Sequence, residues 1–150
     1  MKNFIIVLLT CSALYAQTSA VALYEESQKA LSVGNIELAG EKMRSAIEAD
    51  KSNEKFRAEF DKLNNLRNKR NNANRAVQDG RFDDAIQGFG DVLQSVPNSA
   101  ESLYGTGKAY EGKKEFMTAV DFYKKSLQVD SEYDKSKKSI SNVAKKLYNS

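Results

Sequence analysis

Histidine and tryptophan are absent from the 150-residue sequence, and cysteine and proline occur only once each. Without histidine, the chain lacks the commonest general base near neutral pH and the commonest ligand for transition metals. The lone cysteine, Cys11, has no partner within the chain for a disulfide. These absences exclude cysteine–histidine metal sites and weaken an enzymatic interpretation, although Asp, Glu, Lys and Tyr remain for other chemistry.

The first twenty residues have the layout of a secretory signal peptide. Lys2 precedes an apolar run over Phe4–Leu9, and small residues follow at Ala16 and Ala20. The run is too short for a comfortable membrane span. We therefore predict a signal peptide over residues 1–20, cleaved after Ala16 or Ala20, and export to the periplasm or cell envelope of a bacterium, or secretion otherwise. Two alternatives stay open: an apolar first helix of the fold, and a loose lipoprotein box that would lipidate Cys11.

Charge is mixed, with a formal net charge of +3. Two segments are basic: residues 54–81 carry eight basic and four acidic residues, and residues 134–150 carry five and one. The basic run Asn64–Arg75 contains no aromatic residue on which a base could stack, so we expect no nucleic-acid partner.

Apolar residues recur at intervals of three and four, which predicts helices, and alternating strand patterns are hard to find. Three such stripes each follow a break in the pattern, at Gly34, at Gly80 and at residues 112–114. The stripes are Ile36, Ala39, Met43, Ala46 and Ile47; Phe82, Ala85, Ile86, Phe89, Val92 and Leu93; and Phe116, Ala119, Val120, Tyr123 and Leu127. A shorter helical segment precedes each stripe, so the sequence repeats a helix, a turn and a helix.

This pattern resembles the tetratricopeptide repeat, a 34-residue helical hairpin. The units run over residues 20–53, 66–99 and 100–133. The residues that carry the resemblance are Ala39, Ala85 and Ala119 at the small position, Met43, Phe89 and Tyr123 at the bulky one, Gly107 and Tyr110 in the first helix of unit three, and Pro97. Two departures are the missing glycine and aromatic residues in the first helix of unit one, and Lys114 at the place of the turn glycine.

The twelve-residue insertion 54–65 separates the first two units. Its apolar residues continue at helical spacing without Gly or Pro, which predicts one long helix of about 25 residues, about 38 Å. A break near Asn64 is the competing interpretation, because asparagine is a modest helix former. After the third unit, residues 134–150 predict an amphipathic capping helix, which could instead lie on an anionic membrane or grip a partner.

The predicted fold is therefore all-α. We expect a short α-solenoid of about three tetratricopeptide-like hairpins within residues 21–150, with an extended helix between units one and two and a C-terminal capping helix.

Asp83 and Asp84 raise the question of a metal site. Calcium loops need acidic residues at alternating positions and a closing glutamate, which this stretch lacks. In the first turn of a helix, the same aspartates oppose the helix dipole. We therefore expect no metal, no cofactor and no catalytic residue.

The resemblance implies a concave groove, lined by the first helix of each unit, that receives a partner peptide or helix. The residues that would face it are Tyr24, Gln28, Leu31, Arg67, Arg70, Asn71, Asn74, Gln78, Tyr104, Lys108 and Glu111. Asn71 matches one asparagine of the family's carboxylate clamp. Tyr24, Glu101 and Gly105 stand where its cationic residues belong, which excludes that clamp.

The expected function is that of an exported, non-enzymatic protein-binding module, with a change at Arg70 or Asn74 weakening capture of the partner without loss of helix. Oligomeric state stays open. A self-assembling structural component of the cell envelope is the alternative, in which Phe56, Phe60 and the last helix mediate association. Membrane contact is expected only through the basic last helix or lipidated Cys11.

Overall fold

The computed structural model describes residues 18–148, so the predicted signal peptide up to residue 17, including Cys11, lies outside the described residues. Seven helices and no strand occur within this range, and the all-α prediction is confirmed. The helices are α1 (residues 18–32), α2 (Ile36–Ala49), α3 (Glu54–Gln78), α4 (Phe82–Ser95), α5 (Ala100–Gly112), α6 (Phe116–Val129) and α7 (Asp134–Tyr148).

Three tight turns share one backbone conformation at the predicted breaks. Gly34, Gly80 and Lys114 have φ angles of 85°, 75° and 64° and follow α1, α3 and α5. Glycine adopts this left-handed conformation without a Cβ clash, whereas lysine adopts it at a cost. The break in the third hairpin therefore lies at Lys114, which takes the place of the turn glycine.

Side-chain caps satisfy first-turn amides of α2 and α5. Asn35 accepts a hydrogen bond from the Leu38 amide, 3.0 Å away, at the start of α2. Ser99 accepts one from the Ser102 amide at the start of α5. Each cap satisfies an amide that has no partner in the first turn of its helix.

The described residues form two compact units, unit 1 up to Asn65 and unit 2 from Leu66 onward, which we describe separately. In the described part of unit 1, α1 and α2 pack with the first half of α3 around Met43, Phe56 and Leu63. Small residues bring the backbones together, and the buried Ser27 hydroxyl donates to the Ala39 carbonyl at 2.7 Å.

Helix α3 is continuous over 25 residues, so the prediction of one long helix is confirmed and the alternative break near Asn64 is wrong. Its first half contributes Phe56 and Leu63 to the core of unit 1, and its second half contributes Ala73 and Ala76 to the core of unit 2. The helix is therefore a component of both cores.

Aromatic rings packed on glycine hold the helices of unit 2 together. Phe89 of α4 lies over Gly105 of α5, where an added Cβ would come within 2.3 Å of the ring. Tyr123 of α6 lies over Gly107, where a Cβ would come within 2.5 Å. Since both rings are fully buried, α5 is sandwiched between α4 and α6 at these two contacts.

Helix α7 covers α6. Val143 is fully buried beside Ala119 and Tyr123, and the Ser136 hydroxyl lies 3.0 Å from that of Ser126. The apolar side of the predicted capping helix thus packs into unit 2, and its lysines remain outside.

Candidate functional site

Helices α3 from residue 66, α5 and α7 form one face of unit 2. We call the exposed and half-exposed side chains of these three helices the odd-helix face. Arg70 of α3 reaches Glu101 of α5 at 3.0 Å, and Lys146 of α7 reaches Glu111 of α5 at 2.8 Å. Helices α4 and α6 pack against α5 through Phe89 and Tyr123. These contacts place three helices side by side.

Arg70 joins two of these helices from a buried position. Its side chain is only 6% exposed, whereas that of its partner Glu101 is 41% exposed. A buried arginine needs its charge compensated, and Glu101 provides this. Arg70 was predicted to contact a partner directly, but the structure places it beneath the face. A change at Arg70 would therefore disturb packing as well as binding.

Glu111 is the centre of a second polar cluster. Its side chain is 9% exposed and accepts hydrogen bonds from the Tyr123 hydroxyl (2.6 Å) and from the ammonium groups of Lys108 (2.9 Å) and Lys146 (2.8 Å). Burial by itself would raise the pKa of Glu111, but these three hydrogen bonds outweigh it and lower the pKa to about 2. The ionised carboxylate of Glu111 therefore connects α5, α6 and α7 through hydrogen bonds.

Tyrosines fill the space between these two clusters. The ring of Tyr104 lies 5.6 Å from the rings of Tyr123 and Tyr133, measured between centroids. Burial, followed by the nearby negative charge of Glu101, raises the pKa of Tyr133 to about 12. Tyr104 is half-buried and contacts both of these rings.

Amide side chains make up the accessible part of α3. Asn71 and Gln78 are exposed, and Asn74 and Arg67 are half-buried. On α5, Lys108 remains 37% exposed although it contacts Glu111. An amide offers both a donor and an acceptor, so this row can satisfy the backbone of an extended chain.

The three predicted residues of α1 lie in unit 1. Tyr24 stacks on Phe56 with ring centroids 5.1 Å apart, and Leu31 packs against the same core. Gln28 is half-buried. The structure therefore brings eight of the eleven predicted residues together in unit 2 and uses Tyr24 and Leu31 to complete the core of unit 1.

The sequence did not predict the contributions of Glu101 and Lys146 to this face, or the packing of Tyr133 against Tyr104. One signal for Glu101 was present, since it lies 34 residues after Arg67 and so occupies the same place in the repeat. Lys146 has no equivalent signal, because its role depends on the contact between α7 and Glu111.

Asp83 and Asp84 engage cationic side chains. Lys113 lies 2.7 Å from Asp83, and Arg81 lies 2.8 Å from Asp84 and 3.0 Å from Asp79. Within residues 18–148, no group of three or more potential metal ligands occurs. The same residues include no helix that is long and apolar enough to cross a membrane.

An open cavity of about 500 Å³ lies between α3 and α4 in unit 2. Its floor includes Ala73 and Gly88, and its rim includes Arg81 with both of its aspartate partners. Arg81 therefore pairs with both aspartates at the rim.

No protein-family model matches the sequence, and no curated protein matches it. Among solved structures, the N-terminal domain of stress-induced protein-1 (STI-1) from C. elegans is 18% identical, with 86% of this chain and 97% of that chain covered and a TM-score of 0.45. The TPR domain of P58(IPK) is 16% identical, with 87% of this chain and 47% of that chain covered and a TM-score of 0.42.

Proposed function

We propose that the protein is a non-enzymatic binding module that holds a segment of another protein on the odd-helix face of unit 2. The observation that carries this proposal is the contrast between fixed and accessible groups on that face. Arg70 and Glu111 are buried and tied to neighbouring helices, while Asn71, Asn74 and Gln78 remain accessible. A rigid platform with accessible amides loses little conformational entropy when an extended chain binds.

Site-directed obstruction of the face tests the proposal. Asn71→Trp places a large ring on the accessible row of α3, and Gln87→Trp places the same ring on α4, where the side chain is also exposed. We expect the Asn71 variant to lose at least about tenfold in affinity for a partner captured by the wild-type chain, equal to about 1.4 kcal/mol. The Gln87 variant should bind normally. Equal binding by both variants would place the partner elsewhere.

Export is also part of the proposal, and unit 1 supports one of the two cleavage positions. Ala20 is fully buried in the core that includes Met43 and Phe56. Cleavage after Ala20 would remove this residue from the core, whereas cleavage after Ala16 would leave α1 whole from residue 18. The intact mass of the protein recovered from its source should correspond to a chain that begins at Gln17.

Self-assembly through Phe56 and Phe60 finds no support in the structure. Phe56 is 3% exposed in the core of unit 1, and Phe60 packs against that core with Arg44 over its ring at 5.7 Å. Phe56 is therefore not accessible for association between chains, and self-assembly through Phe60 and the last helix stays a prediction.

A further inference from the structure

The two hairpins of unit 2 differ at one place between their paired helices. In the α5–α6 hairpin, Tyr110 stacks on Phe122, with ring centroids 5.4 Å apart and ring planes inclined by 15°. The residues 34 positions earlier, at the equivalent places of the α3–α4 hairpin, are Ala76 and Gly88. The α3–α4 hairpin therefore lacks the stacked pair of rings.

The open cavity of about 500 Å³ lies at this place. Ala76 and Gly88 both line it, together with Ala73. A Cβ added at Gly88 would lie 3.0 Å from the Cβ of Ala73, so α3 and α4 already meet at the floor of the cavity. The two helices thus hold open a space that the α5–α6 hairpin fills with its own rings.

Most charged groups around the cavity have partners in the protein. Arg81 lies 3.0 Å from Asp79 and 2.8 Å from Asp84. Lys69 lies 3.2 Å from Asp91 of α4. These pairs fix the charged side chains of the rim to one another.

Arg75 is the exception on this rim. Its side chain is exposed, and within residues 18–148 its guanidinium has no ion pair or hydrogen bond. Asn72, almost one turn earlier on α3, adds an exposed amide to the same rim. A guanidinium pairs with a carboxylate through two parallel hydrogen bonds, and an amide bonds a peptide backbone.

We infer that the cavity between α3 and α4 receives an aromatic side chain of a partner protein, with an acidic residue of the partner next to it. The ring packs on Ala73, Ala76 and Gly88, and Arg75 pairs with the carboxylate. The row of accessible amides on which the proposed function depends lies outside the lining of this cavity. The inference therefore goes beyond that function and adds a second site.

The shape of the cavity fits a ring that projects from a chain. Aromatic side chains gain much from burial and pack well against apolar surface and other rings, as Tyr110 and Phe122 do in the neighbouring hairpin. Pockets for free small molecules enclose most of the ligand's surface. An open cavity instead covers one side chain while the backbone that carries it stays outside.

The charge of the rim selects among aromatic ligands. Its lining contains three basic and two acidic residues, a net charge of +1. This balance suits a single carboxylate beside the ring, whereas a nucleic acid would bring a row of phosphates against the two aspartates. A protein segment with neighbouring aromatic and acidic residues is therefore the better match.

Two variants and one control test the site. The filled variant combines Ala73→Gly, Ala76→Tyr and Gly88→Phe, which introduces the residues found 34 positions later in the α5–α6 hairpin. The rim variant is Arg75→Gln. Its matched control is Lys124→Gln, which removes an exposed positive charge without an ion pair from α6. Circular dichroism verifies that each variant is folded.

The measurement is a titration of the intact, ¹⁵N-labelled protein followed by NMR. The probes are a Gly/Ser peptide with one central Phe-Glu pair and its Ala-Glu and Phe-Gln counterparts. A fourth probe, 3-phenylpropionate, supplies the ring and the carboxylate as a free small molecule.

We expect the Phe-Glu peptide to shift the amide signals of Ala73 and Gly88, and the Ala-Glu peptide to bind at least about tenfold more weakly, because a buried aromatic anchor dominates such contacts. The filled variant should lose binding. Arg75→Gln should weaken the Phe-Glu peptide by up to about fivefold and leave the Phe-Gln peptide unchanged, as for one exposed ion pair. Lys124→Gln should bind like the wild type.

Several results would overturn the inference. These are undiminished binding by a folded filled variant, equal losses in Arg75→Gln and Lys124→Gln, no shift with any probe at millimolar concentration, and equal affinity for 3-phenylpropionate and the peptide. The last result would identify a free aromatic acid as the occupant. If the shifts fall on α5 and α7 instead, this inference is wrong and the proposed function stands.

Discussion

Glu111 accepts hydrogen bonds from side chains of α5, α6 and α7, and its ionisation contributes to stability. The folded-state pKa is about 2, below the ordinary value of 4.5. A depressed carboxylate pKa stabilises the folded state above the unfolded pKa, and this contribution is lost as the pH falls toward the folded pKa. The relevant window therefore extends from about pH 4.5 down to about pH 2.

We predict that the free energy of unfolding depends less on pH below about pH 4.5 in Glu111→Gln than in the wild type. At about 1.4 kcal/mol per pKa unit, the ionised group contributes at most about 3.5 kcal/mol near neutral pH. Urea unfolding at a series of pH values should show the wild type losing this contribution on acidification, with a smaller loss in the variant. Parallel curves for the two proteins would show that Glu111 is not the group responsible.

Lys114 adopts a backbone conformation that suits glycine, with φ of 64°. A left-handed conformation costs a non-glycine residue about 1–2 kcal/mol, while glycine gains freedom in the unfolded chain. We therefore predict that Lys114→Gly stabilises the protein by up to about 1 kcal/mol, measured as a higher urea midpoint. Lys113→Gly is the control, because Lys113 has φ of −73° and glycine brings no relief there. A lower midpoint for Lys114→Gly would contradict the prediction.

Two glycines in unit 2 differ in the space around them. An added Cβ at Gly105 would lie 2.3 Å from the Phe89 ring, whereas at Gly90 of α4 it would meet nothing within 4 Å. Gly105→Ala should therefore destabilise the protein by about 1–3 kcal/mol through overpacking. Gly90→Ala should stabilise it by up to about 1 kcal/mol through helix propensity. Thermal unfolding of both variants checks the pair, and effects of the same sign would argue against the ring contact.

At the scale of helices, the sequence pattern predicted what depends on local spacing. The order of the hairpins and the length of α3 followed from apolar periodicity, because a helix buries every third or fourth residue. The burial of Arg70 and Glu111 could not be predicted in this way. In the sequence, a charged residue within a row of polar residues indicates an exposed position. The partner that allows its burial lies on another helix, and Glu111 and Lys146 are 35 residues apart.

Continuity of α3 can be tested at Asn65, an exposed residue near its middle. Proline there removes a backbone hydrogen bond and clashes with the preceding turn, so Asn65→Pro should cost about 3 kcal/mol or more. Asn65→Ala should instead stabilise the helix by about 0.5 kcal/mol. Helix content by circular dichroism and the urea midpoint provide the measurements. A tolerated proline would mean that the helix is interrupted at this point.

The whole molecule contains separate cores, one in unit 1 around Met43 and Phe56 and others in unit 2 around Phe89 and Tyr123. In stacked helical hairpins, each element mainly stabilises its neighbours. Damage to one core should therefore lower local stability before it affects the other unit.

We predict that Met43→Ala lowers amide protection in α1 and α2 by about 2–5 kcal/mol, as expected for a buried methionine, with a smaller effect in α5 and α6. Native-state hydrogen exchange measured residue by residue gives this comparison. Leu38→Ala, at a 38% exposed position of the same helix, should change protection little. A uniform loss over the chain would show that the two units unfold as one.

The continuity of α3 also affects how the chain responds to proteases. Compact units are usually joined by an exposed linker, which is where a protease cuts first. The boundary between Asn65 and Leu66 lies inside a helix, where the amides are hydrogen-bonded and the backbone does not fit an extended protease cleft. The turns between helices are then the accessible cleavage points. Partial digestion thus releases hairpins and fragments that keep α3 whole.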